Sequence, residues 1–515
     1  MKKIEWMIAA GTAAALAGAV VSAGCVNTAG DCTLLGTACG SGGGSTSTTA
    51  TATSTTASGA TTSTASVSAS ASSSSGTGGA DALSACEANR FGDAKDQAAQ
   101  SVIVGSSGDI LLAGDLHGSL NIGLQMTTAK GLDDLFLARL GANQQAKWIK
   151  SFPVSYGAVA RDAAGGIVVA GSYVNAADFG APCAPLDGTN NFYLARLDID
   201  GTCQWAKGFA LSSPDVHSSL AVAANGHIAL VGDTVGPMDF HTSGGGPIPI
   251  LGNNPGKRDI FAVELDSGGQ IISPTPVGFG GPDDDVVNGV AFDAAGGMVL
   301  VGAFKSASID FGSNAFANAS GQDRAFLAGI GGVKNWHLDF PGGKGATDAQ
   351  SAGAVVFANG LAIAAGDYTG ALGALTSTGH AFFLVAADPA TGKQIWAHPF
   401  DGKAGVKSIK AIAAGADGAL AWTGALTGDV DFGSGPVASN GGAIVATFKA
   451  DGTPVSSLAF GDTTSLPAVR GISYQGASVF VAGSFAAKLA FDKTLSIDSA
   501  GGTDAFLANL SKLCP

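Results

Sequence analysis

The chain has 515 residues, of which 13% are charged and 46% hydrophobic, and it carries 26 basic against 40 acidic residues for a net charge of −14. Phosphate backbones are bound by patches of Lys and Arg, so this balance argues against a nucleic-acid partner. It fits a soluble extracytoplasmic protein with ample length for a hydrophobic core.

Residues 1–24 read as an export signal: Lys2 and Lys3 give a basic start, and an Ala- and Gly-rich apolar run follows from Trp6 to Val21. The run is short for a membrane span, which needs about 20 apolar residues. The segment ends in "SAGC" at Cys25 and resembles a bacterial lipoprotein signal, whose Cys becomes the lipidated N-terminus, with Ser22 standing where that family usually carries Leu, Val or Ile. The resemblance implies lipidation of Cys25, and Val26, being no Asp, implies the outer membrane or cell surface. The alternative is an ordinary signal peptide cut near Ala23. Residues 25–84, dominated by Gly, Ser, Thr and Ala, cannot bury enough surface to offset their ordering entropy. They read as a flexible tether, and about 40 such residues reach about 35 Å on average.

The remainder, residues 85–515, repeats. "DILLAG", "GIVVAG", "HIALVG", "GMVLVG", "LAIAAG", "ALAWTG" and "SVFVAG" end at Gly114, Gly171, Gly232, Gly302, Gly366, Gly424 and Gly483, at spacings of 57, 61, 70, 64, 58 and 59 residues. Seven copies at a near-constant period predict a repeat architecture. In copy two, "AVARDA" reads as a strand and "AGG" as a turn. "IVVAGS" is then a strand buried on both faces, and after a loop "FYLARLD" and "CQWAKGF" are strands joined at "DIDGT". Each copy is thus a four-stranded antiparallel meander. Seven of them stacked radially predict an all-β, seven-bladed β-propeller. A β-solenoid would use shorter coils and would not need its ends to meet.

Here the ends meet. The chain stops shortly after "DAFLANL", where a fourth strand is due, and "CEANRFGD" at residues 86–93 supplies the missing ending ahead of the first blade. The last blade is therefore expected to borrow its outer strand from the N-terminal side. Closure brings Cys86 to Cys514; Cys183 and Cys203 fall within blade two, and Cys32 and Cys39 within the tether base, so these three pairs are the expected disulfides, free thiols being the alternative.

"NGVAFDAAGGMVLVGAF", the "DFG" triplets at Asp178, Asp310 and Asp431, and "DAFLANL" resemble the bacterial SBBP-type β-propeller repeat family over residues 86–513. The resemblance implies the fold; members mostly lack an assigned activity.

No catalytic residue, cofactor or metal site is expected. "DFG" lacks the glycine loop, strand Lys and catalytic loop of a kinase, and its recurrence points to packing by its Phe. "AADPATGKQIW" resembles the tryptophan-docking motif of quinoprotein propellers. Only one copy carries it and no adjacent Cys pair exists, so blade packing accounts for Asp388, Thr391, Gly392 and Trp396. "LDIDGT" at Asp198 reads as a hairpin turn rather than a calcium loop, the seven histidines show no zinc spacing, and no G-x-S-x-G elbow occurs.

In such a meander the first-to-second and third-to-fourth turns share one end of the propeller, and they are short here. The other two connections share the opposite end and vary in length, the third copy containing "HTSGGGPIPILGNNPGKRD". That end carries Asp93, Asp96, Asp215, Asp283, Asp284, Asp285, Asp348, Asp401 and Asp462, the expected recognition face, although each could equally cap a turn. The function expected is a monomeric, lipid-anchored, non-enzymatic binding or scaffold module for a protein or polysaccharide at the cell envelope. The alternative is an extracytoplasmic glycan hydrolase or lyase with its site at the central channel. A polar channel mouth with perturbed carboxylates would favour the enzyme, and a channel of Ala, Gly and Val the binder.

Overall fold

A computed structural model describes residues 83–514 except 212–215, 241–256, 273–276, 339, 341–347, 403–404, 406, 434 and 513. The signal, the tether, Cys25, Cys32, Cys39 and Asp215 lie outside the described residues.

The chain folds as a seven-bladed β-propeller of four-stranded antiparallel sheets, with no helix among the described residues. The first strands, innermost in their blades, are Gln97–Val104, Ala158–Arg161, Val216–Val222, Asp285–Phe292, Gln350–Ala358, Lys407–Ala414 and Ala468–Gln475. Each packs against the first strand of the next blade, and that of blade seven packs against that of blade one, so the ring is closed. Blade seven takes its fourth strand from Ser84–Phe91, paired antiparallel with Asp504–Ser511. A Cys86–Cys514 disulfide, with Cα atoms 5.1 Å apart, fastens that blade, and Cys183–Cys203 fastens blade two.

The second and third strands are the most apolar and sit mid-blade, buried on both faces; Ile110–Leu116 and Asp134–Leu140 are typical. The core is divided among the junctions between blades: Phe91, Phe480 and Leu507 of blade seven share a cluster with Leu112, Phe136 and Leu140 of blade one. The Phe of each "DFG" packs on the Phe closing the preceding blade. Phe152–Phe179, Phe279–Phe311 and Phe400–Phe432 have ring centroids 5.1–5.3 Å apart, and Phe209–Phe240 and Phe460–Phe491 repeat the arrangement. Burying one such ring stabilises by about 2–3 kcal/mol. The Asp of the triplet caps its own turn, as Asp310 Oδ1 accepts from the Gly312 amide at 2.8 Å. Tryptophans fasten the outer strands. Trp148 donates to the Ile199 carbonyl at 3.2 Å and Trp205 to that of Ser267 at 3.0 Å, both in the next blade. Gly392 receives Trp336 of the preceding blade, where a Cβ would stand 2.9 Å from that side chain.

One feature differs from the sequence reading. Among the described residues the second-to-third connection, read as a loop, is a β-ribbon in six blades, either separate (Ser119–Ile122 with Gln125–Thr128) or continuous with the blade, as in Leu420–Asp431 with Pro436–Phe448. Ribbons satisfy backbone groups that a long irregular loop would leave to solvent. The seven anchor glycines are crowded by their own sheet. A Cβ on Gly114, Gly171, Gly232, Gly302, Gly366, Gly424 or Gly483 would overlap a carbonyl oxygen of the adjoining first strand or its lead-in.

Candidate functional site

That close approach accompanies a recurring β-bulge. In blades one, four, five, six and seven the pairing of first and second strands skips one residue: Gln100, Asn288, Gly353, Lys410 and Arg470. A bulge leaves its extra residue unpaired and re-aims the side chain. Each lies thirteen or fourteen residues before its anchor glycine, toward the loop-rich end of the innermost strand. The bulges thus place Gln100, Lys410 and Arg470 at equivalent positions on the innermost strands of three blades.

Gln100 Nε2 donates to Asp115 Oδ2 at 2.6 Å, Asp115 being the residue after the anchor glycine of blade one. Burial and the charge of Asp133 push the Asp115 carboxyl up to about 6, against the Gln100 hydrogen bond and the charges of Arg470 and His117. Asp115 nevertheless keeps partial solvent contact, as a group facing an enclosed channel does. Tyr156, in the connection leading into blade two, lies against Ser101; burial and Asp115 raise its phenol well above the ordinary range. His117 Nε2 and Asp133 Oδ1 pair at 3.3 Å beside this group. The charge of Arg470 in blade seven acts on Asp115, Tyr156 and Lys410, which belong to blade one, the lead-in to blade two and blade six. Burial and the adjacent Arg470 lower the Lys410 ammonium, while Asp367 acts in the opposite sense. Asp367 is held by His380 Nε2 at 2.8 Å. Asn288 is turned to the wall, donating to the Ala352 carbonyl at 2.9 Å.

The mouth is therefore polar, with two cations, a carboxyl of raised pKa, a phenol, an amide and a hydroxyl. Sequence reading missed Gln100, Asp115, Tyr156, Lys410 and Arg470. The available signal was a polar residue interrupting an apolar innermost strand at a fixed distance from the anchor glycine.

The expected recognition aspartates lie on the loop-rich connections, where most are engaged locally. Asp93 accepts from the Lys95 and Ser119 amides and Gln97 Nε2 at 2.8–2.9 Å, bonds that hold its carboxyl low despite burial. Asp96 accepts from the Thr503 amide at 2.8 Å, tying blade one to blade seven. Asp462 accepts from the Thr464 and Ser465 amides at 2.9 Å, which lower its pKa. Asp348 lies against Gly370, and the Asp401 carbonyl accepts from the Asp431 amide at 2.8 Å. Asp283 and Asp284 face Lys257 at 3.8 and 3.0 Å. Asp285 is wholly buried, with Ser306 Oγ donating to it at 2.7 Å. Burial and the charge of Asp285 push the neighbouring Asp259 up to about 7. Sequence reading had grouped Asp285 with its exposed neighbours, because burial at a blade junction leaves no mark in an acidic triplet.

No protein-family model matches the chain, and no curated protein matches it. Among solved structures, the chain is similar to BBS1N, seen in complex with ARL6DN, at 11% identity and a TM-score of 0.34, covering 82% of this chain and 94% of that one. It is similar to the quinohemoprotein alcohol dehydrogenase of Comamonas testosteroni at 11% identity and a TM-score of 0.33, covering 78% and 65%. A member of the DUF4221 family from Bacteroides vulgatus gives 8% identity and a TM-score of 0.30, covering 84% and 99%. At these scores the fold assignment rests on the strand pairing itself.

Proposed function

We propose that the protein is an exported, SBBP-type propeller lipoprotein, anchored through Cys25, that binds a polysaccharide or protein ligand of the cell envelope at the loop-rich mouth of its channel without turning it over. The observation that carries this reading is the set of equivalent bulges at Gln100, Lys410 and Arg470 on the innermost strands of three blades. The export signal and tether suit a module held off a membrane, and the two disulfides are compatible with an extracytoplasmic location. The test is capture of envelope polysaccharide by the full chain in detergent. Saturable binding that Gln100→Ala weakens, with no new reducing ends or unsaturated product, supports the reading; equal capture by the variant contradicts it.

A second reading is favoured by one observation. The raised Asp115 carboxyl beside Tyr156, in a mouth that also holds Arg470, meets the criterion for a glycan lyase or hydrolase. Asp115, however, is bonded to an amide rather than to a base or nucleophile. Turnover of a glycan that Asp115→Asn abolishes would put this reading first.

A further inference from the structure

We infer that the channel mouth seats an acidic group of its ligand between Lys410 and Arg470, so that the ligand is a hydroxyl-rich chain bearing carboxylate or sulfate groups. This rests on the axial ligand site proposed above and names its chemistry. Several other enclosed arginines among the described residues are matched to acids. Arg139 and Arg161 donate to Asp109 at 2.9 and 2.7 Å, Arg196 pairs with Asp162, Arg258 with Asp233 at 2.5 Å, and Arg90 with Asp504 at 3.4 Å. Lys410 and Arg470 form no ion pair among the described residues, and Arg470 Nε is buried without a hydrogen-bond partner. The acids that feel them, Asp367 and Asp115, hydrogen-bond to His380 and Gln100 instead.

Two like charges brought together in an enclosed place repel, and each loses hydration. In a chain of net charge −14 this is not a by-product of a general excess of cations. Neighbouring blades bring the two there by the same device, the bulge at Lys410 and the bulge at Arg470. An anion placed between them supplies the missing counter-charge, and the guanidinium fork favours a planar carboxylate or a sulfate. Gln100, Ser101 and Tyr156 sit on the Asp115 side of Arg470 and offer the short polar groups that pair with hydroxyls.

The experiment is calorimetric titration of the full chain with an oligogalacturonate and with the uncharged oligogalactan of equal length, alongside melting in inorganic sulfate. The acidic chain is expected to bind at least about tenfold more tightly than the neutral one and to weaken as salt is added. Arg470→Gln and Lys410→Gln should each lower its affinity about tenfold without lowering the melting temperature, while Lys410→Arg retains most of it. Sulfate should raise the melting temperature of the native chain and not that of the double variant. Equal binding of both sugars, lost in Gln100→Ala but not in the charge variants, would overturn the anion seat and leave the axial site standing. Binding of neither sugar, with no sulfate shift, would overturn the seat; binding untouched by Gln100→Ala, Arg470→Gln and Lys410→Gln alike would overturn both.

Discussion

Two charged clusters, one at each end of the propeller, treat charge in opposite ways. At the short-turn end Asp109 gathers Arg139, Arg161 and Ser107, and Arg196 closes on Asp162, so every member of that network has a counter-charge or hydrogen bond. At the loop-rich end Arg470 acts on Lys410, and neither forms an ion pair among the described residues. The first arrangement joins blades one and two and serves the fold. The second weakens the fold locally, and a feature that opposes stability points to a ligand that relieves it.

Substitutions should separate the ends, and the largest effect is expected where the mouth is built. Gly424→Ala would press a Cβ into the Ser408 carbonyl beside the bulge that aims Lys410. A loss of about 4 kcal/mol or more in denaturant unfolding is expected, together with loss of ligand binding. Next comes Asp109→Ala, which strands Arg161, whose side chain is only 7% exposed, and leaves Arg139 only its contacts to Asp200 and the Ile199 carbonyl. Removing one partner of a buried pair costs about 3–5 kcal/mol, and unfolding should show a loss in that range.

The ends should also answer pH with opposite signs. Burial resists but its Ser107 and Arg partners prevail, so the Asp109 carboxyl sits well below the usual range, and its stabilisation is present at neutral pH and fades only in strong acid. Asp115 is raised to about 6 from 3.8, so between those values the folded chain holds more protons than the unfolded one. Its contribution therefore falls as pH rises through that window, by about 1 kcal/mol given its partial exposure. Asp115→Asn should flatten that slope in melts taken from pH 4 to 7, and a slope unchanged by the substitution would exclude Asp115 as its source. The smallest change is expected for Lys410→Met, about 0–1 kcal/mol in the stabilising direction.

What the sequence shows and hides follows the same division. The anchor glycines, the "DFG" Phe residues and the Cys86–Cys514 closure are legible because each recurs, or is demanded, at a fixed register. Phe179, Phe240 and Phe311 meet the same kind of partner in successive blades. The ribbons were hidden because Gln125–Thr128 and its counterparts have no shared pattern beyond turn residues. The mouth was hidden for a different reason. Gln100 and Arg470 stand 370 positions apart in the chain, and a bulge changes which way one side chain points without altering composition. The loop-rich aspartates drew notice as charges, yet Asp93 and Asp462 accept hydrogen bonds from nearby backbone amides.

The most direct measurement is a side-by-side thermal unfolding of the full-length Lys410→Met and Asp109→Ala variants in low salt without added anions. The account predicts that Lys410→Met melts at or above the native temperature while Asp109→Ala melts several degrees below it. If Lys410→Met proves as damaging as Asp109→Ala, Lys410 has a structural counter-charge, and the contrast between the two ends does not hold.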